Sequence, residues 1–174
     1  VKEKMSAGSW IRKLLGGSGT ARGEKNKNGA GKKAKDNESG VAGFYYNYEG
    51  SVGGDNFRYA LKSSNGVVIF SYESMEHRKA GEMTKEVSGS VLESLNEICV
   101  SCRVAEWDGF SKRNTGVCDG EGFSIGIVFG DGSDLYADGT NVFPERYGEF
   151  CERIHALFDP IRDELLTAIK EDED

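Results

Sequence analysis

The chain has 174 residues, 37% of them hydrophobic, with 24 Gly and a net charge of −7: enough for one domain with extensions and a core that needs no disulfide staples. The charge is divided, with ten Lys/Arg and four Asp/Glu in residues 1–40 and twelve against twenty-five in the remainder. An acidic body argues against specific nucleic-acid binding, which needs a basic stripe on the fold itself, and no apolar run is long enough to span a bilayer. Four Cys without a visible secretory signal fit a reducing cytoplasm. The chain begins at Val1, so an upstream segment, an unusual start codon or a start at Met5 all remain open.

Residues 1–40 read as a flexible, basic, glycine-rich tail. Within it, residues 9–15 form a short amphipathic segment with Trp10, Ile11, Leu14 and Leu15 as its apolar cluster. Seven residues do not hold a helix alone in water, so the segment needs a surface: the domain, another protein or a membrane. Residues 16–40 contain seven Gly and read as linker. In it Gly29-Ala30-Gly31-Lys32 lacks the preceding strand, the following Ser/Thr and the apolar helix of a phosphate loop.

The α+β domain is expected over 41–170. Phe44, Tyr46 and Tyr48 alternate with polar neighbours, then Gly53-Gly54 turns the chain. Phe57, Tyr59 and Leu61 predict a second strand, Asn65-Gly66 a tight hairpin, and Val67 to Tyr72 a third strand. His77 to Lys85 reads as loop. Ser88, or Ser90 with Glu93, caps a helix over about residues 89–102, with Val91, Leu92, Leu95, Ile98, Cys99 and Cys102 on one face. Trp107-Asp108-Gly109-Phe110 opens a loop to Gly122. Phe123, Ile125, Ile127 and Phe129 mark a strand, Asp131-Gly132 a favoured hairpin turn, and Leu135 to Ala137 the fifth strand. Pro144 is expected in the first turn of a helix striped by Tyr147, Phe150, Cys151, Ile154, Leu157 and Phe158. Asp159-Pro160 should interrupt it, with Asp159 capping a further short helix carrying Ile161, Leu165, Leu166 and Ile169. Residues 171–174 form an acidic end. The expected fold is a two-layer α+β domain, βββ-α-ββ-α, with a five-stranded antiparallel sheet and helices on one face.

Residues 44–158 resemble a small bacterial α+β domain family of unknown function. The resemblance is carried by Phe44 to Tyr48 with Gly53-Gly54, Trp107-Asp108-Gly109-Phe110, Asp119-Gly120, Phe123 to Phe129, Asp131-Gly132, and Gly139 with Phe143-Pro144-Glu145-Arg146-Tyr147. It implies no activity and no functional residues. The expected order, with the tail segment counted as a first helix, is also similar to that of type III secretion chaperones, which dimerise and wrap extended partner segments; the long linker before the first strand departs from that pattern.

Candidate chemistry is sparse. Cys99 and Cys102 lie three apart on one predicted helix, and Cys151 and His155 four apart on another; if the helices pack together the four could meet as zinc ligands, and otherwise they serve the core. Cys99-Val100-Ser101-Cys102 sits at a helix C-terminus, where the dipole disfavours a redox thiolate. Neither His77 nor His155 accompanies a nucleophile motif. Asp119, Glu121, Asp131 and Asp134 gather near one hairpin without EF-hand spacing. Trp107 and Phe110 line a pocket or plug the core. No cofactor is implied. The expected function is a non-enzymatic protein-binding or adaptor domain, with a protein partner or a second copy as occupant and Trp10, Ile11, Leu14 and Leu15 as its contact residues. A small-ligand or metal-dependent enzyme, a chaperone-like binder of extended peptides, and membrane-surface contact through the tail are the alternatives.

Overall fold

The computed structural model describes residues 40–51, 55–116 and 120–172. The segment with Trp10, Ile11, Leu14 and Leu15 lies outside the described residues, as do Gly53-Gly54 and Asp119. The domain is α+β: one sheet carries two helices on one face. Strands β1 (Val41–Glu49), β2 (Asn56–Ser64), β3 (Val67–Ser74) and β4 (Met83–Val87) form an antiparallel meander, and helix α1 (Ser90–Ser101) follows. A short 3-10 turn (Val104–Trp107) leads to β5 (Ser111–Arg113), then to the hairpin β6 (Gly122–Phe129) and β7 (Asp134–Thr140), and the chain closes in α2 (Tyr147–Asp172). The sheet order is β4-β3-β2-β1-β6-β7-β5, antiparallel except for the β5–β7 edge pair.

Alternation places Phe44, Tyr46, Tyr59, Leu61, Phe70, Tyr72, Phe123, Ile125 and Ile127 in one core under the helices. On the opposite face Tyr45, Ala60, Val128 and Tyr136 form a small satellite cluster. Asn65 (φ 53°) and Gly66 (φ 80°) are both left-handed, the geometry an Asn-Gly hairpin requires.

The sheet has seven strands rather than the five expected. In β4 the inward positions are Met83, Lys85 and Val87; Lys85 reaches Glu164 of α2 in an ion pair, and a lysine at an inward position hid the period-two pattern. Strand β5 is three exposed polar residues, Ser111, Lys112 and Arg113, with no hydrophobic pattern at all. The Asp131-Gly132 hairpin forms with a longer turn: Gly132 alone is left-handed, and Asp131 Oδ1 accepts from Ser133 N at 2.9 Å.

Both helices differ from expectation at their boundaries. At α1 the N-cap position is Gly89, without a side-chain cap bond; Ser88 Oγ accepts weakly from Ser90 N at 3.3 Å. Helix α2 starts at Tyr147, three residues after Pro144, because Arg146 is left-handed (φ 63°). Asp159-Pro160 does not break it. The Asp159 carboxylate is held by Tyr59, His155 and Arg162, so it caps nothing, and Ile161, Leu165, Leu166 and Ile169 continue packing against the same core. Among the described residues no helix is long and apolar enough to cross a membrane.

Candidate functional site

Strands β1 and β2 continue past the cover of the helices. At that end the inward residues Tyr48 and Phe57, paired across the strands, are only partly buried. The chain entering α2 supplies the facing wall with Phe143, Pro144 and Tyr147. Between them lies an open cleft of about 580 Å³, floored by Tyr46 and Cys151 and edged by Glu121, Arg146, Gly148 and His155. The rings interlock: Tyr48 and Phe57 have centroids 5.4 Å apart, and Phe143 stacks on Tyr147 at 4.7 Å. Phe123 supports Tyr147 from behind at 4.6 Å. Phe143 is 36% exposed and forms the rim.

The polar groups of the floor are engaged with one another. The Tyr46 hydroxyl lies 2.8 Å from the Tyr147 hydroxyl and 3.4 Å from Cys151 Sγ. Burial pushes both tyrosines well above their ordinary range. Burial also raises the Cys151 thiol; the neighbouring Tyr46 and Tyr147 hydroxyls oppose this, and Glu121 adds to it. One and two turns along α2, His155 Nδ1 lies 3.1 Å from Asp159 Oδ1. A carboxylate only accepts, so Nδ1 carries the proton. Asp159 also accepts from the Tyr59 hydroxyl at 2.7 Å and from Arg162 Nη1 at 2.9 Å. Cys151, His155 and Asp159 thus share one helix face, but the thiol is bonded to Tyr46 and raised, the opposite of an activated nucleophile.

The four zinc candidates fall into different environments. Helices α1 and α2 do pack together, yet Cys99 and Cys102 are buried core residues and His155 turns to Phe57, Tyr59 and Asp159. Among the described residues no three His, Cys, Asp or Glu side chains converge to hold a metal. Trp107 is a core residue, 3% exposed, and its Nε1 donates to Glu145 O at 3.1 Å. With Phe110 it also lines a smaller hollow of about 220 Å³. The acidic residues expected at one hairpin are separated by the length of β6: Glu121 precedes the strand, and Asp131 and Asp134 follow it. His77 Nδ1 pairs with Ser74 Oγ at 3.0 Å and does not line the cleft.

Of the residues behind the resemblance, Tyr46, Tyr48, Phe143, Pro144, Arg146 and Tyr147 line the cleft, Trp107 and Phe110 line the smaller hollow, and Asp131-Gly132 turns the chain at the other end of β6. Gly139 lets the Val142 carbonyl and the Phe110 and Phe123 rings close over β7, which sets Phe143 and Tyr147 in place. Reading by alternation put Tyr48 and Phe57 on strands without marking them as a site; Phe143 entered only with the motif of the resemblance, and Glu121 only as one of the acidic residues near a hairpin. Their signal was position: inward aromatics at strand ends, opposite a Pro-bearing helix entry. No protein-family model and no curated protein sequence matches the chain.

Proposed function

We propose that the domain is a non-enzymatic protein-binding module whose cleft receives an apolar or aromatic side chain of a partner segment. The observation carrying this is the open cleft of about 580 Å³ walled by Tyr48, Phe57, Phe143 and Tyr147. Rigid, partly exposed aromatic rings around a concavity supply contact area at low entropic cost, the property of binding hot spots. The floor hydroxyls and thiol bond to one another, which leaves the walls to make contact.

Gly148 offers the test. It lines the cleft, sits in α2, and a Cβ there meets nothing within 4 Å. Gly148→Leu therefore fills the cleft without straining the helix. Peptides selected on the full chain should carry an aromatic or large aliphatic anchor and lose about tenfold or more in affinity on Gly148→Leu. If no selected peptide distinguishes the two proteins, the cleft is not a binding site.

A second reading, an enzyme acting on a small ligand, is favoured by Cys151 and His155 in the cleft wall. Iodoacetamide separates the two. A raised thiol alkylates slowly at neutral pH. Rapid, selective loss of the Cys151 thiol under those conditions would favour the enzyme.

A further inference from the structure

The cleft has a charge signature besides its aromatic walls. Glu121 lines the cleft, and both it and Asp55 lie close enough to Tyr48 to act on its hydroxyl. Among the described residues no ion pair reaches Asp55 or Glu121. Arg146, which lines the cleft, is occupied by Glu149 at 3.0 Å and by the Ser101 carbonyl at 2.6 Å. The fitting occupant is aromatic or aliphatic with adjacent cations: the anchor enters between the rings, and the cations meet the acidic mouth or a ring face.

The chain contains such a segment, Trp10-Ile11-Arg12-Lys13-Leu14-Leu15, within a tail of ten Lys/Arg and four Asp/Glu. The body it would meet holds twelve Lys/Arg against twenty-five Asp/Glu. Reach also agrees. The described chain begins at Gly40, and the cleft lies at the far end of β1, beside Tyr48. Val41 to Tyr48 spans about 24 Å at ~3.4 Å per residue. A glycine-rich coil of the length separating Leu15 from Gly40 has an r.m.s. span of about 25–30 Å. A tether matched to its span gives an effective concentration in the ~mM range, enough to seat a short segment that binds weakly when free.

We propose that residues 10–15 occupy the cleft of their own chain, Trp10 entering between the aromatic walls and Arg12 and Lys13 facing Asp55 and Glu121. This rests on the cleft being a protein-binding site. It adds a regulatory consequence, because an outside partner must displace the tail.

The full chain labelled with 5-fluorotryptophan tests it by fluorine NMR. There are two tryptophans, and the buried Trp107 is an internal reference. The Trp10 resonance should lie away from the random-coil position and return to it in Gly148→Leu and, as an independent variant on the exposed mouth, in Glu121→Lys. Peptides selected against the cleft should bind Trp10→Ala about tenfold or more tighter than the parent chain, the tail no longer competing. A coil-like Trp10 in the parent chain, or a shifted Trp10 indifferent to both cleft variants, overturns the proposal. So does a shift that grows with protein concentration, which would place the segment on a second copy. If peptides distinguish Gly148→Leu while Trp10 stays coil-like, the tail inference fails and the binding reading stands. If neither responds, both fail.

Discussion

Two glycines, one lining the cleft and one behind Phe123, make opposite demands. A Cβ at Gly139 would collide with the Val142 carbonyl and come 2.6 Å from the Phe123 ring, and a backbone carbonyl has no rotamer by which to yield. Gly139→Ala should lower stability by about 1–3 kcal/mol, the usual cost of overpacking. Because Phe123 backs Tyr147, it should weaken cleft binding as well. Gly148→Ala meets open space in helical backbone and should be neutral or stabilising by up to about 1 kcal/mol. Urea midpoints of the two variants against the parent chain check the pair; equal shifts would mean that the 139–142 loop is not packed as described. The sequence reading recognised Gly139 only as part of a motif. What makes it necessary is a close approach between β7 and a loop that alternation does not encode.

At the scale of elements, helix α2 carries Pro160 in its interior, where the missing N–H and the ring's clash with the preceding turn cost a free helix about 3 kcal/mol. The helix continues because both halves have anchors: Phe150, Ile154 and Phe158 before the proline, and Ile161, Leu165, Leu166 and Ile169 after it. Asp159 adds a polar clamp to β2 through Tyr59. Pro160 is exposed, so Pro160→Ala should raise stability, by about 1 kcal/mol or more, as helix propensity is regained without loss of packing. Asp159→Ala should lower it by about 1–2 kcal/mol, the charged bonds being discounted for partial exposure. Thermal unfolding reads both; a destabilising Pro160→Ala would mean that the proline fixes a kink the fold needs. The same competition separates the legible elements from the illegible ones. The strands carrying Phe44, Tyr59, Phe70 and Ile125 announce themselves because each alternates and faces a covered core. Strand β4 hides behind Lys85, β5 has no apolar residue to read, and the Asp159-Pro160 stop is overridden by tertiary packing. The cleft was legible only as aromatic residues. That they are not all covered depends on where the helices end over the sheet, which is a property of length and crossing and not of local pattern.

Across the whole molecule, the core is unusual in how many protons it holds. Tyr46, Tyr59, Tyr147 and Tyr45 are all pushed above their ordinary 10.0, burial being the largest cause for each. The Cys99 thiol is pushed from 9.0 up to about 12 by burial, with Cys102 adding to it. Unfolding returns each group to its ordinary value. Above that value the unfolded chain gives up protons that the native state keeps, so the native state binds more of them and stability falls as pH rises. The stabilisation is complete below about pH 9, begins to be lost as Cys99 enters its window, and falls faster past 10 as the tyrosines enter theirs. One pH unit above its ordinary value, a fully retained proton costs about 1.4 kcal/mol, so four tyrosines together reach several kcal/mol. That is a large part of the roughly 5–15 kcal/mol that holds a domain folded. The expected result is a urea midpoint that is flat up to about pH 9 and drops steeply towards pH 11, with tyrosinate absorbance rising in the same cooperative step as the loss of near-ultraviolet circular dichroism. Smooth ionisation of these tyrosines near their ordinary value, in a protein that keeps its circular dichroism, would show that the hydroxyls at the base of the cleft are open to water. The floor formed by Tyr46, Tyr147 and Cys151 would then be unsealed, and the rigid aromatic walls on which binding depends would lose their support.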